Sequence, residues 1–172
     1  MVRRACALAL ALGLTLAASP PLGAADLGTP ALPYTRAQAA RGKVLYESTC
    51  GQCHQFSLRG RTGAPGELPA LTSLPDSYVQ TIDEHDGKVP PLLGASWASR
   101  WGVKPASEYI ARVAEAIKGF PPAGADDDTA ADLVAYFLQV MGARPGKQPL
   151  TAQTPVVINS GIRAQPPVAT TR

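Results

Sequence analysis

Two cysteines two residues apart, with a histidine directly after the second, constrain this chain more than anything else in it: Cys50-Gly51-Gln52-Cys53-His54. The 172 residues contain three cysteines and two histidines, so neither a disulfide-rich nor a multi-zinc scaffold can be built. The third cysteine, Cys6, falls in an apolar leader. The pair therefore works alone, and the fold has to be organised around it. A structural disulfide is one use, although two-residue spacing suits redox exchange better than stapling. A thioredoxin-like site is another, but no βαβ pattern surrounds the pair. Zinc usually takes four ligands. Without the leader only two thiols and two histidines are on offer, and Cys53 and His54 are adjacent.

The remaining use accounts for the histidine. CxxCH is the attachment pattern of a c-type haem. Two thiols at this spacing can add to the two vinyl groups on one edge of a porphyrin. The histidine that follows can place its imidazole under the iron, its other ring nitrogen donating to a backbone carbonyl that fixes the ring. The carbonyls near Pro65 and Pro69 are the expected acceptors. Covalent attachment also suits export, because dissociated haem would be lost outside the cell.

Export is expected from residues 1–25. Arg3 and Arg4 form a basic n-region, residues 5–18 an apolar h-region, and Gly23, Ala24 and Ala25 a small-residue cleavage site. That apolar run is short of the roughly 20 residues of a spanning helix, and no other run is longer, so no membrane span is expected in the mature chain. The expected location is the bacterial periplasm or its equivalent. The formal charge of the whole chain is +3. The leader removes two arginines and no acid. With so little charge and no Lys/Arg stripe, the chain does not read as a nucleic-acid binder. Charged residues make up 17% and apolar residues 45%, which argues against disorder throughout.

The expected organisation is a lead-in over 26–33, a folded domain over 34–142, and a Pro-rich basic tail over 143–172. Within the domain, Thr35 and Gln38 form a capping box that opens a helix over 34–49, which runs into the cysteine pair. Gly, Pro, Ser and Thr make 55–75 a loop. Pro75-Asp76 starts a short helix over 76–84. Residues 85–104 are loop, with Trp97 and Trp101. Tyr109, Ile110, Val113 and Ile117 recur at helical spacing over 106–118. A last helix spans 128–141, with Asp126, Asp127 and Asp128 at its N-terminus, where the helix dipole favours negative charge. No convincing strand appears, except at Val156–Ile158. The tail carries four basic residues, no acid and five prolines, and is expected to be disordered. The fold class is all-α, with about four helices around one covalent haem and long loops between them.

These features resemble a single-haem class I cytochrome c over residues 35–145. The shared pattern is a helix with Gly42 and Tyr46 leading into CxxCH, a Pro-x-Leu-Gly loop at 91–94, a helix at 106–118, a Pro-Pro loop, and a last helix with Leu133 and Tyr136-Phe137. The resemblance implies that the first and last helices cross, the glycine allowing close approach. The order of Trp101, helix, Pro121-Pro122, helix, Gly142 and Pro149-Leu150 is similar to cytochromes that accompany quinoprotein (PQQ-dependent) dehydrogenases.

The chain departs from that family at the second axial ligand. The usual methionine before Pro-Pro is Phe120, which cannot ligate iron. The distal side is then open or water-bound, or it is filled by His85, Lys118 or Met141. His85 lies in an extra segment, 66–88, and is otherwise a surface histidine among Asp83, Glu84 and Asp86. Trp97 and Trp101 are either donors to haem propionates or plain core. Arg59, Arg61 and Arg100 either pair with propionates or are exposed. The expected function is exported electron transfer from a periplasmic dehydrogenase to a further cytochrome or oxidase, with no catalytic residues. Cys50 and Cys53 anchor the haem c, and His54 ligates its iron. Two alternatives stand beside it: a five-coordinate haem protein binding CO or NO near Phe120, as sensor or weak peroxidase, and a dehydrogenase subunit whose tail wraps its partner.

Overall fold

The computed structural model describes residues 30–119 and 126–162. The expected leader, residues 26–29 of the lead-in, Phe120 with Pro121 and Pro122, and residues 163–172 lie outside the described residues. In chain order the described residues form α1 (Arg36–Ser48), α2 (Cys50–His54), β1 (Arg61–Thr62), α3 (Asp76–Asp83), β2 (Lys88–Val89), α4 (Ala95–Trp97, continuing as a π turn over Ala98–Gly102), α5 (Ala106–Ile117) and α6 (Asp127–Val140), with 3-10 turns at Leu71–Ser73 and Ile158–Gly161. The four expected helices are α1, α3, α5 and α6. The CxxCH pentapeptide and the Trp97 segment add two short ones.

Helix α1 opens on the expected capping box: Gln38 N donates to Thr35 Oγ1 at 3.1 Å and Thr35 N to Gln38 Oε1 at 3.3 Å. It crosses α6 at Gly42, where a Cβ would sit 1.9 Å from the Asp132 carbonyl oxygen. Only a residue without a side chain allows two helix backbones this close. Arg41 binds both oxygens of Asp132 beside the crossing. Helix α6 begins with Asp126 accepting from Thr129 N at 2.8 Å, a satisfied N-cap. It buries Leu133, Val134, Phe137 and Leu138 against α1 and α5.

The extra segment is anchored at its base. β1 and β2 pair antiparallel, Arg61 opposite Val89 and Thr62 opposite Lys88. The approach is tight at Gly60 (φ +71°), where a Cβ would lie 2.1 Å from the Val89 carbonyl oxygen. Gly60 N bonds His54 O and Leu92 N bonds Leu58 O, so the chain leaving the haem motif is tied to the chain returning from the extra segment.

The expectation of a disordered tail is corrected over 143–162. Ala143, Leu150 and Ile158 are buried in the same core as α1, α5 and α6. Gln38 exchanges two hydrogen bonds with Leu150, Nε2 to the carbonyl and backbone N to Oε1, both 2.8 Å. Tyr34 Oη donates to Ala143 O at 2.6 Å, and Leu32 N to Arg144 O at 2.9 Å. Further on, Ala106 N bonds Val156 O and Ile158 N bonds Lys104 O. The segment is a strap that satisfies the backbone of residues 32–34 and the first turn of α5. The suspected strand at Val156–Ile158 is a single bridge, Pro105 to Val157, followed by a 3-10 turn.

Candidate haem attachment site

The site is built on α2. Residues three and four apart on a helix share a face, so Cys50, Cys53 and His54 project to one side. Cys50 and Cys53 are free thiols. Burial pushes both up from the ordinary thiol range, which keeps them protonated at neutral pH. Thr49 Oγ1 lies 3.5 Å from Cys50 Sγ.

His54 Nδ1 lies 2.9 Å from the carbonyl oxygen of Pro90. A carbonyl only accepts, so Nδ1 carries the hydrogen and Nε2 keeps its lone pair. Burial lowers the imidazole's pKa, against the opposing effect of this hydrogen bond. The ring is therefore oriented and neutral, as a metal ligand requires. Pro90 corrects the expected acceptors. Pro65 is exposed, and the Pro69 carbonyl accepts from Arg61 instead. The β1–β2 pairing delivers Pro90 to His54 across the extra segment.

An aromatic wall backs the thiols. Tyr46 stacks edge-on with Phe137 at 5.6 Å, Phe137 meets Tyr109 at 6.3 Å, and Tyr109 meets Trp97 at 5.2 Å and Trp101 at 5.0 Å. Tyr46 Oη donates to Gln55 O at 2.6 Å, closing the turn after the motif. Burial raises the Tyr109 phenol, against the lowering effect of the neighbouring Trp97 N–H. Trp97 Nε1 and Tyr109 Oη are both buried and lie close enough for the tryptophan to hold the phenol down, without forming a well-aligned hydrogen bond. Buried polar atoms ordinarily have their partners, and even with Trp97 beside it the Tyr109 hydroxyl hydrogen has no acceptor, so the wall presents an unused donor. Two free thiols, an oriented imidazole and this donor together fit a haem. Tyr109 read only as core from the sequence. A hydroxyl on a helix's apolar face was the signal available.

The other expected residues are placed as follows. Arg59 and Arg100 are exposed, but Arg61 is buried. His85 is exposed, its Nδ1 2.9 Å from Thr81 O. It lines a cavity with Arg61, Lys88, Pro90 and Pro91, Pro90 being the residue whose carbonyl meets His54 Nδ1. Lys118 Nζ pairs with Glu115 at 2.6 Å. Met141 caps the end of α6, partly buried against the core. Among the described residues, no three His, Cys, Asp or Glu side chains gather as a metal cluster.

The family described as cytochrome C oxidase, cbb3-type, subunit III matches residues 37–137. The chain belongs to that family. No curated protein and no solved structure matches it. As a c-type cytochrome domain it binds haem c covalently, and haem-based electron transfer with redox partners follows. It is an electron carrier rather than an enzyme. Among the described residues of this cytochrome, no helix is long and apolar enough to cross a membrane.

Proposed function

We propose that this cytochrome is exported to the periplasm, holds one haem through Cys50 and Cys53, ligates its iron with His54 Nε2, and carries electrons from a periplasmic dehydrogenase to a further cytochrome or an oxidase. The observation carrying this reading is the His54–Pro90 hydrogen bond beside two free thiols. At each cysteine the sulfur bonds one vinyl carbon and the thiol hydrogen goes to the other, so no oxidant is consumed. Pro90 keeps the imidazole lone pair directed away from the backbone. When bound, the haem supplies a one-electron couple. A quinoprotein dehydrogenase is the donor suggested by the order of Trp101, helix, Pro-Pro and helix, and an oxidase acceptor accords with the family's description. The permanent-subunit alternative loses part of its motive, because residues 143–162 wrap this domain itself.

A second reading, a five-coordinate haem that binds CO or NO, draws support from one set of placements. His85 bonds Thr81 O through Nδ1 and lines the cavity that contains Pro90, Lys118 is paired with Glu115, and Met141 packs at the end of α6. Each of the three donors is engaged elsewhere.

The test is the absorption spectrum of the mature protein made with haem-maturation machinery, ferric and ferrous, with and without CO. Absence of covalent haem overturns both readings. A low-spin spectrum unmoved by CO supports the carrier. A high-spin spectrum that shifts with CO moves the second reading ahead.

A further inference from the structure

Arg61 is buried beside the haem-attachment motif without being one of its anchors. Its side chain is 2% exposed. It reaches back to the motif, donating from one terminal nitrogen to the carbonyl of Gln52, between the two cysteines, at 3.1 Å and to the carbonyl of Pro69. Gln52 O belongs to the last turn of α2, where carbonyls lack helical partners and a cation is favoured. The Nε atom is buried without a partner. A guanidinium keeps its charge in proteins, so this is a desolvated positive charge. It lies close enough to Cys53 to oppose the effect of burial on that thiol. The anion paired with it is Glu67, whose Oε2 is 4.0 Å away while its Oε1 accepts from Thr62 N and Oγ1, both at 2.7 Å; Asp86 lines the same cavities without a salt bridge to it.

We propose that Arg61 sets the haem's reduction potential, acting as a buried cation clamped onto the CxxCH helix, with Glu67 as its partial counterweight. Ferric haem carries one more positive charge than ferrous. A nearby cation in a low-dielectric interior penalises the ferric state and raises the potential. Among the described residues, Arg61 is the one buried charged side chain. With no methionine before Pro121 to raise the potential, a charge beside the thioether of Cys53 is the lever the fold supplies. Arg61 is thus a positioning residue: it acts through the motif helix and its field, and the electron resides on the haem.

This inference rests on the haem reading above. The experiment is spectroelectrochemical titration of the full mature holoprotein and three variants, Arg61→Gln, Arg61→Lys and Glu67→Gln. The potential should fall in Arg61→Gln, stay near wild type in Arg61→Lys, and rise in Glu67→Gln. Ligand-sensitive spectra should be unchanged in all three. A fall in Arg61→Lys as large as in Arg61→Gln overturns the role of charge, because packing and hydrogen bonding would then be its source. No shift in Glu67→Gln overturns it as well. If Arg61→Gln yields no haem-loaded protein, the other two variants decide. A wild-type chain without covalent haem defeats the haem reading. A loaded chain whose potential ignores these substitutions defeats only this inference.

Discussion

The Nδ1 atom of His54 meets the carbonyl oxygen of Pro90, 36 residues away in sequence, at 2.9 Å. The contact links the motif to the far end of the extra segment through β1 and β2. Proline here fixes the backbone that carries the acceptor. Replacing Pro90 by glycine keeps the carbonyl but frees its position. The expected result is a haem that remains covalently attached but shows a broadened or mixed ferric spectrum, read by absorption and electron paramagnetic resonance. An unchanged spectrum would show that the β1–β2 pairing alone positions the carbonyl.

Gly42→Ala tests the helix crossing. In an isolated helix, alanine is favoured over glycine by about 1 kcal/mol. In this protein the added Cβ would lie 1.9 Å from Asp132 O and 2.5 Å from its carbonyl carbon. Both atoms are backbone, so the helices themselves must part. The substitution should destabilise by about 3 kcal/mol, as severe overpacking does, measured by denaturant unfolding of the holoprotein. A stabilised variant would mean that α1 and α6 do not cross at this position.

How far these features were legible depends on how local they are. Thr35 and Gln38 stand three residues apart, and their capping box follows from the sequence. The helical spacing of Tyr109, Ile110 and Val113 gave α5, and CxxCH gave its own chemistry. Pro90 was not legible, because the expected acceptors, Pro65 and Pro69, lie nearer His54 in the chain, and the β1–β2 pairing of two residues each leaves no periodic signal. The strap was misread for a related reason. Its prolines and unbalanced charge match a disordered composition, while its order comes from long-range backbone partners: Gln38 to Leu150, Tyr34 to Ala143 and Ala106 to Val156. Arg61 was weighed among exposed arginines because nothing adjacent to it in sequence announces burial.

Gln38→Ala should release the strap. It removes both hydrogen bonds to Leu150 and half of the capping box, and it leaves buried backbone groups unpaired. The expected loss is about 2 kcal/mol, given the cost of leaving such groups unsatisfied. Trypsin should then cleave after Lys147 faster than in the wild type, with the haem spectrum unchanged. Equal cleavage rates would mean that Leu150 and Ile158 hold the strap by burial alone.

Tyr34 gives the strap a pH dependence. Its hydroxyl donates to Ala143 O at 2.6 Å, and burial pushes the phenol up to about 12 from an ordinary 10.0. The unfolded chain ionises first on alkaline titration. Stability from this group is therefore complete below pH 10.0 and is lost as pH rises towards about 12. Tyr34→Phe removes the ionisation, so its unfolding midpoint should fall less steeply over that window. At neutral pH the same variant should be less stable by about 1–3 kcal/mol, because Ala143 O loses its donor. An alkaline slope identical to the wild type's would assign that loss to Tyr46 or Tyr109, whose phenols burial also raises.

His85→Ala bears on the open side of the haem. An axial partner of His54 has to stand across the ring plane from it, on the side to which Nε2 points. His85 lines the cavity that also contains Pro90, and Pro90 marks the opposite, Nδ1 side. Its own Nδ1 is already 2.9 Å from Thr81 O, one helical turn back. Ligating the iron would require His85 to give up this contact and leave that cavity. The variant should therefore show ferric and ferrous spectra identical to wild type, and the same response to CO. A low-spin wild type that turns high-spin on losing His85 would mean that the extra segment refolds around the haem, and would make His85 the second ligand.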